Sequence, residues 1–169
     1  MGKAKFAFAV LAVAAGLLPM AASPAVAEEE PPGGGAVFTY QLKSDKGNCL
    51  DVGPGKPQDG TLVRTWSDCN RTANQKWRFE SSGPESVNLV HHRSGLCATR
   101  EENSNGDTVV RLRVCGDQED SQDWQRIPAQ GNPKQFQNAE DGGYLYDNGS
   151  GSGTSTTPDS GSYWTVSRS

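Results

Sequence analysis

A tryptophan signature recurs three times along this chain. Asn74-Gln75-Lys76-Trp77 closes one segment, Ser121-Gln122-Asp123-Trp124 closes a second, and Gly161-Ser162-Tyr163-Trp164 ends a worn third copy. The tryptophans stand 47 and then 40 positions apart. A period in that range marks one supersecondary unit used three times, each copy too small to bury a core alone and so obliged to share one. Indoles bury large apolar areas, so Trp77, Trp124 and Trp164 read as that shared core and not as ligand contacts. The first copy keeps polar residues that the other two have lost.

Four cysteines fall at matching places in the first two copies, with 20 positions between Cys49 and Cys69 and 18 between Cys97 and Cys115. In a secreted chain they favour disulfides over metal thiolates. The spacing selects Cys49–Cys69 and Cys97–Cys115, one bridge inside each copy. Closing loops of this size stabilises by ~3 kcal/mol in the chain-entropy model. The third copy has no cysteine and is expected to be the loosest.

Secretion is read from the amino terminus. Lys3 and Lys5 precede an apolar stretch from Phe6 to Ala22, and Ala25-Val26-Ala27 offers a small-residue cleavage site. This is the pattern of a signal peptide over residues 1–27. A membrane anchor fits less well, because Pro19 interrupts a stretch already short of the ~20 residues needed to span. No later segment is apolar enough to cross, so no membrane insertion is expected after cleavage. Residues 28–35, an acidic run followed by prolines and glycines, are expected to form a disordered leader. Loss of Lys3 and Lys5 takes the formal net charge from −4 to −6. An acidic domain lacks the basic patch that nucleic acid or anionic lipid rewards.

Turn clusters at Ser81-Ser82-Gly83-Pro84 and Gln130-Gly131-Asn132-Pro133 divide the remainder, residues 36–169, into repeats of about 36–80, 85–128 and 130–169. No stretch has a helical period. Short alternating runs appear instead: Val110, Leu112 and Val114 on one face against Arg111 and Arg113, and Val63 and Thr65 against Arg64 and Trp66. Many short strands at regular spacing predict an all-β domain. The threefold count favours a three-lobed barrel over a two-sheet sandwich. The alternation also points Trp66 outward, since Arg111 and Arg113 occupy the matching face and will not be buried unpaired.

Gly47-Asn48-Cys49-Leu50-Asp51-Val52, then Gly60 to Trp66, then Cys69-Asn70 and Asn74-Gln75-Lys76-Trp77 resemble one repeat of the ricin-B-type lectins. The resemblance covers the chain after the leader. It is specific in the first repeat, good in the second and weak in the third. It implies a β-trefoil of three pseudo-symmetric repeats, and it implies that Asp51, Trp66, Asn74 and Gln75 form one carbohydrate-binding constellation. Their chemistry suits the task. A flat indole packs on the apolar face of a pyranose. An ionised carboxylate accepts from vicinal hydroxyls, and amides both donate and accept. Gln75 is expected either to brace Asp51 or to touch the sugar. The competing role for Asp and Asn is local turn chemistry. One departure stands out: family members commonly place the aromatic two positions before the second cysteine, and Ser67-Asp68 make it three here. The extra residue either forms a bulge or re-aims the ring, and it makes Asp68 a substitute contact.

The second repeat has lost the constellation. Thr99 stands for Asp51, Arg113 for Trp66 and Ser121 for Asn74, leaving Gln122, so this lobe reads as structural or as carrying a changed specificity. The third repeat offers Asp147 as the match to Asp51, with Tyr144 and Tyr146 as packing residues and Gly161-Ser162 in place of the amide pair; no site of the first type is expected there. His91-His92 read as a solvated pair, since adjacent strand residues face opposite ways and cannot share a metal. Glu101-Glu102 and Glu119-Asp120 are placed in loops, with no cleft to hold them as a glycosidase pair.

The expectation is a secreted, monomeric β-trefoil that binds glycans or polysaccharide, of galactose or xylan type, at one site in its first repeat. No metal, cofactor or reaction is expected. The rival is a protein-interaction or inhibitor trefoil that ignores sugars.

Overall fold

The computed structural model describes residues 37–117 and 119–169. The signal peptide and leader expected at the amino terminus lie outside them. The described residues form twelve strands: β1 (Tyr40–Ser44), β2 (Cys49–Asp51), β3 (Arg64–Trp66), β4 (Trp77–Ser81), β5 (Ser86–His91), β6 (Cys97–Glu102), β7 (Thr108–Arg113), β8 (Asp123–Pro128), β9 (Pro133–Asn138), β10 (Tyr144–Tyr146), β11 (Ser155–Thr157) and β12 (Trp164–Arg168). One-turn 3-10 helices at Ala73–Gln75 and Asp120–Gln122 precede β4 and β8.

The strands fall into three lobes of four. The outer two strands of each lobe close a barrel in the order β1, β4, β5, β8, β9, β12 and back to β1, every contact antiparallel. Closure leaves the barrel no free edge. The inner strands form hairpins β2–β3, β6–β7 and β10–β11. The hairpins meet in a ring of main-chain hydrogen bonds: Val63 N–H donates to Val110 O at 2.9 Å, Val110 N–H to Thr154 O at 3.0 Å, and Thr154 N–H to Val63 O at 2.9 Å. This threefold arrangement of a barrel and three hairpins is a β-trefoil.

The tryptophans are the core, as their spacing predicted. Trp77, Trp124 and Trp164 are fully buried. Their indole N–H groups donate to Leu50 O at 3.1 Å, Ala98 O at 2.9 Å and Leu145 O at 3.3 Å, tying each barrel strand to its own hairpin. Leu42, Leu89 and Phe136 fill the matching barrel positions.

Both predicted disulfides are formed, Cys49–Cys69 and Cys97–Cys115, with Cα–Cα distances of 5.4 and 5.1 Å. No described cysteine is free. This pairing fits an oxidising, extracellular setting.

The alternation holds from Val63 through β3, where Val63 and Thr65 are buried and Trp66 is exposed. It fails at one end of the other run. Val114 is 70% exposed, because β7 stops at Arg113 and the chain turns away before another inward position is reached. Glu101 and Glu102 belong to β6 and not to a loop. His91 is also not solvated but fully buried at the end of β5. Its ring lies edge-on to Trp77, centroids 5.4 Å apart. Nε2–H donates to Ala73 O at 3.1 Å, and Nδ1 pairs with the Ser94 hydroxyl at 3.0 Å. Desolvation pushes the imidazole down to about 4, so it is neutral at physiological pH.

Candidate functional site

Asp51, Trp66, Asn74 and Gln75 line one shallow depression in lobe 1, of about 290 Å³, together with Gly53, Pro54, Arg64, Asn70 and Thr72. The β2–β3 hairpin and the 3-10 turn before β4 supply most of its wall. Cys49 faces Trp66 across the hairpin and Asp51 faces Arg64. The Cys49–Cys69 bridge clamps the same hairpin to the segment leading into the turn.

Trp66 is 39% exposed, as its place in the alternation required. Asp51 is only 5% exposed, and its oxygens are already engaged. Oδ1 accepts from Gly53 N–H and from Arg64 Nε, and Oδ2 accepts from Gln75 Nε2 at 3.2 Å. The bond to Gly53, two residues on, is local turn chemistry, so that competing role is realised here. Gly53 has φ +78, and a Cβ there would come 3.2 Å from Arg64 Cζ. Glycine therefore both makes the turn and leaves room for the guanidinium.

Gln75 braces Asp51 from beneath and is 1% exposed. Its Nε2 also donates to Asp68 O at 2.7 Å. Its Oε1 accepts from Gln41 Nε2 at 2.9 Å and from Arg71 N–H at 3.2 Å. Every strong position on that amide is filled, so Gln75 orients the wall and offers nothing to a ligand. Asn74 is half-buried and donates through Nδ2 to Gly53 O; its Oδ1 remains a free acceptor among the described residues.

Sequence reasoning missed Arg64. It lies across the hairpin from Asp51, pairs with it through Nε at 3.3 Å, and holds Cζ 4.5 Å from the centre of the Trp66 ring. The guanidinium thus sits between carboxylate and indole and covers part of the platform. The available signal was the outward alternation shared by Arg64 and Trp66, combined with hairpin register, which sets opposite charges face to face.

The extra residue near Ser67-Asp68 does not displace the ring. Trp66 faces Cys49 just as Arg113 faces Cys97 in lobe 2. Gln75 donates to Asp68 O where Gln122 donates to Val114 O. The added residue is therefore Ser67, after the ring, and its N–H donates to Ser150 Oγ of lobe 3 at 2.9 Å. Asp68 itself is exposed, accepts from Asn70 Nδ2 at 3.0 Å and lies outside the depression's lining.

In lobe 2 the matching surface is filled with ion pairs. Arg113 pairs with Glu101 through Nε and with Asp59 of lobe 1 through Nη1 at 2.9 Å. Thr99 bonds back to Cys97 O at 3.2 Å. In lobe 3 the structure shifts the expected correspondence by one position. Trp164 bonds Leu145 O as Trp77 bonds Leu50 O, so Tyr146, not Asp147, stands where Asp51 does. Thr157 faces Tyr144 where Trp66 faces Cys49. Asp147 falls on the opposite, inward side and is fully buried. Ser44 and Asn48 donate to its Oδ2, the latter at 2.9 Å, and Thr65 and Gly149 N–H donate to Oδ1 at 2.6 and 2.8 Å. Burial would raise this carboxyl, but those hydrogen bonds outweigh it and hold it below the ordinary carboxylate range.

Solved structures share the fold. A designed threefold-symmetric protein, ThreeFoil, aligns with a TM-score of 0.65 at 22% identity, covering 76% of this chain and 96% of that one. SeviL, solved bound to asialo-GM1 saccharide, aligns at 0.61 and 13% identity, covering 79% and 98%. The exo-β-1,3-galactanase 1,3Gal43A of Clostridium thermocellum aligns at 0.69 and 18% identity over 78% of this chain, which spans only 30% of that enzyme. No curated protein sequence matches the chain. The model of the ricin-type β-trefoil lectin domain matches residues 38–150, with its recurrent Gln-x-Trp motif, hairpin cysteines and threefold barrel, and the chain belongs to that family.

Proposed function

We propose that this chain is a secreted, monomeric, non-catalytic binder of galactose- or xylan-like carbohydrate, with one site in the lobe-1 depression and no cofactor. The observation that carries this is the convergence of an exposed indole, a braced carboxylate and a free amide oxygen in one solvent-open concavity. Trp66 supplies stacking area, Asn74 Oδ1 and the Thr72 hydroxyl meet sugar hydroxyls, and Asp51 and Gln75 hold the wall in shape. Family membership supports carbohydrate as the ligand class. SeviL, whose bound ligand is a saccharide, and the galactanase, which acts on a β-1,3-galactan, lend support at the level of fold.

A shallow single site of this kind gives a dissociation constant on the order of 0.1–1 mM. Useful avidity then comes from several copies on one surface. A glycan array with Asp51→Ala and Trp66→Ala controls tests the proposal. Binding by the parent protein that both variants lose supports it; an array blank for the parent overturns it. A turnover assay on xylan and galactosides tests the non-catalytic part, which product release would sink. The rival, a sugar-independent interaction module, draws on the ion pairs that occupy the second lobe's surface and the buried Asp147 of the third. A blank array would favour it.

A further inference from the structure

Arg64 is the only cation lining the lobe-1 depression among the described residues, and most of its donors are unspent. Nε–H goes to Asp51. Nη1 and Nη2 carry the remaining four of a guanidinium's five N–H groups and have no partner among the described residues. The side chain is 21% exposed and fixed on two sides, by the Asp51 carboxylate and by the Trp66 ring. A fork immobilised with free ends is organised before any ligand arrives. The Asp51 charge, by contrast, is already met by three donors and nearly hidden from solvent. All other lining residues are uncharged: Gly53, Pro54, Trp66, Asn70, Thr72, Asn74 and Gln75.

We infer that this depression selects saccharides that carry a carboxylate, with Arg64 Nη1 and Nη2 as the anion-recognising pair; the inference rests on the proposal that the depression binds sugar. A planar carboxylate matches the guanidinium fork, and charge-assisted hydrogen bonds are about twice as strong as neutral ones. A neutral sugar offers the same Nη donors only hydroxyl oxygens, which form the weaker, uncharged-acceptor bond. Uronic acids and sialic acids both supply a carboxylate on a pyranose ring, so the test carries both.

The intact protein is titrated by NMR or calorimetry with methyl galacturonoside, its methyl ester and methyl galactoside, with the corresponding glucose series, and with methyl N-acetylneuraminoside. The expected result is at least tenfold tighter binding of one acid than of its ester and neutral sugar, a ratio that shrinks as salt is raised and falls to about one in Arg64→Gln. The acid-against-ester comparison needs no variant, so it decides even if Arg64→Gln misfolds. Equal affinity for acid, ester and neutral sugar overturns the carboxylate preference and leaves the saccharide site standing. If no probe binds, both fall.

Discussion

Thr65 Oγ1 donates to Asp147 Oδ1 at 2.6 Å, joining residues 82 positions apart in the chain. Thr65 lies on β3 between Arg64 and Trp66, with its own side chain turned inward. The strand that presents the candidate site is thus held from behind by a carboxylate of lobe 3. Gly151 N–H adds a main-chain bond to Thr65 O at 2.8 Å. Lobe 3, which carries Tyr146 and Thr157 where lobe 1 carries Asp51 and Trp66, is thus part of the lobe-1 scaffold.

Asp147→Ala leaves the Ser44 hydroxyl and the Asn48 amide without their buried acceptor, while Thr65 Oγ1 keeps Gly149 O at 2.9 Å. It is expected to cost about 3 kcal/mol in denaturant unfolding, since hydrogen bonds to a charged group are strong and their loss leaves buried polar atoms unpaired. Thr99→Ala, which removes a single local bond to Cys97 O, is expected to cost about 1 kcal/mol or less. Equal losses would show that the buried carboxylate has no special weight.

Trp66→Ala is expected to weaken sugar binding at least tenfold, about 1.4 kcal/mol, while changing unfolding free energy by no more than about 0.5 kcal/mol, as for other surface positions. Titration followed by NMR reads the first and chemical denaturation the second. Unaltered affinity would remove the indole from the site.

Acid should destabilise the fold in two stages. His91 is neutral when folded, with a value of about 4 against 6.5 for the free side chain. An unfolded chain therefore takes up a proton before the folded one does. The stability tied to His91 is complete above pH 6.5 and is lost progressively as pH falls toward 4, by about 3 kcal/mol in all. Asp147, whose value is depressed by its hydrogen bonds, holds its contribution above the ordinary carboxylate range and loses it as pH falls below. Melting temperature measured from pH 7 to 3 should fall across both windows. In His91→Gln the upper fall should flatten; an unchanged profile assigns it to other groups.

The two bridges should separate stability from binding. Replacing either cysteine pair with serine removes ~3 kcal/mol of unfolded-state restraint. Loss of Cys49–Cys69 also frees the hairpin carrying Asp51 and Trp66, so affinity should fall with it. Loss of Cys97–Cys115 should leave affinity near that of the parent. Calorimetric titration of the two double variants checks this, and matched affinities would detach the first bridge from the site.

The architecture was legible because its signals are periodic. The three tryptophans recur at a spacing set by lobe size, and the cysteine pairs repeat that spacing. Period-two alternation placed Trp66 outward for the same reason. What alternation cannot give is the cross-strand partner, so Arg64 was seen on the right face without its contact to Asp51. Asp147 differs from its expected place for a related reason: hairpin register, not residue type, decides which positions correspond, and in a strand a shift of one residue exchanges the two faces. His91 escaped notice because a polar residue at a strand end is buried only when other segments, here the Ala73 carbonyl and Ser94, supply its partners.

The ring of amide bonds through Val63, Val110 and Thr154 has a consequence for how such a molecule can be shortened or evolve. Each member donates its N–H to the carbonyl of the next and accepts from the one before, so no two of them complete the circuit. Excising any lobe would leave one donor and one acceptor bare at the pseudo-symmetry axis. Duplication and loss in this architecture are therefore expected to proceed by whole triplets.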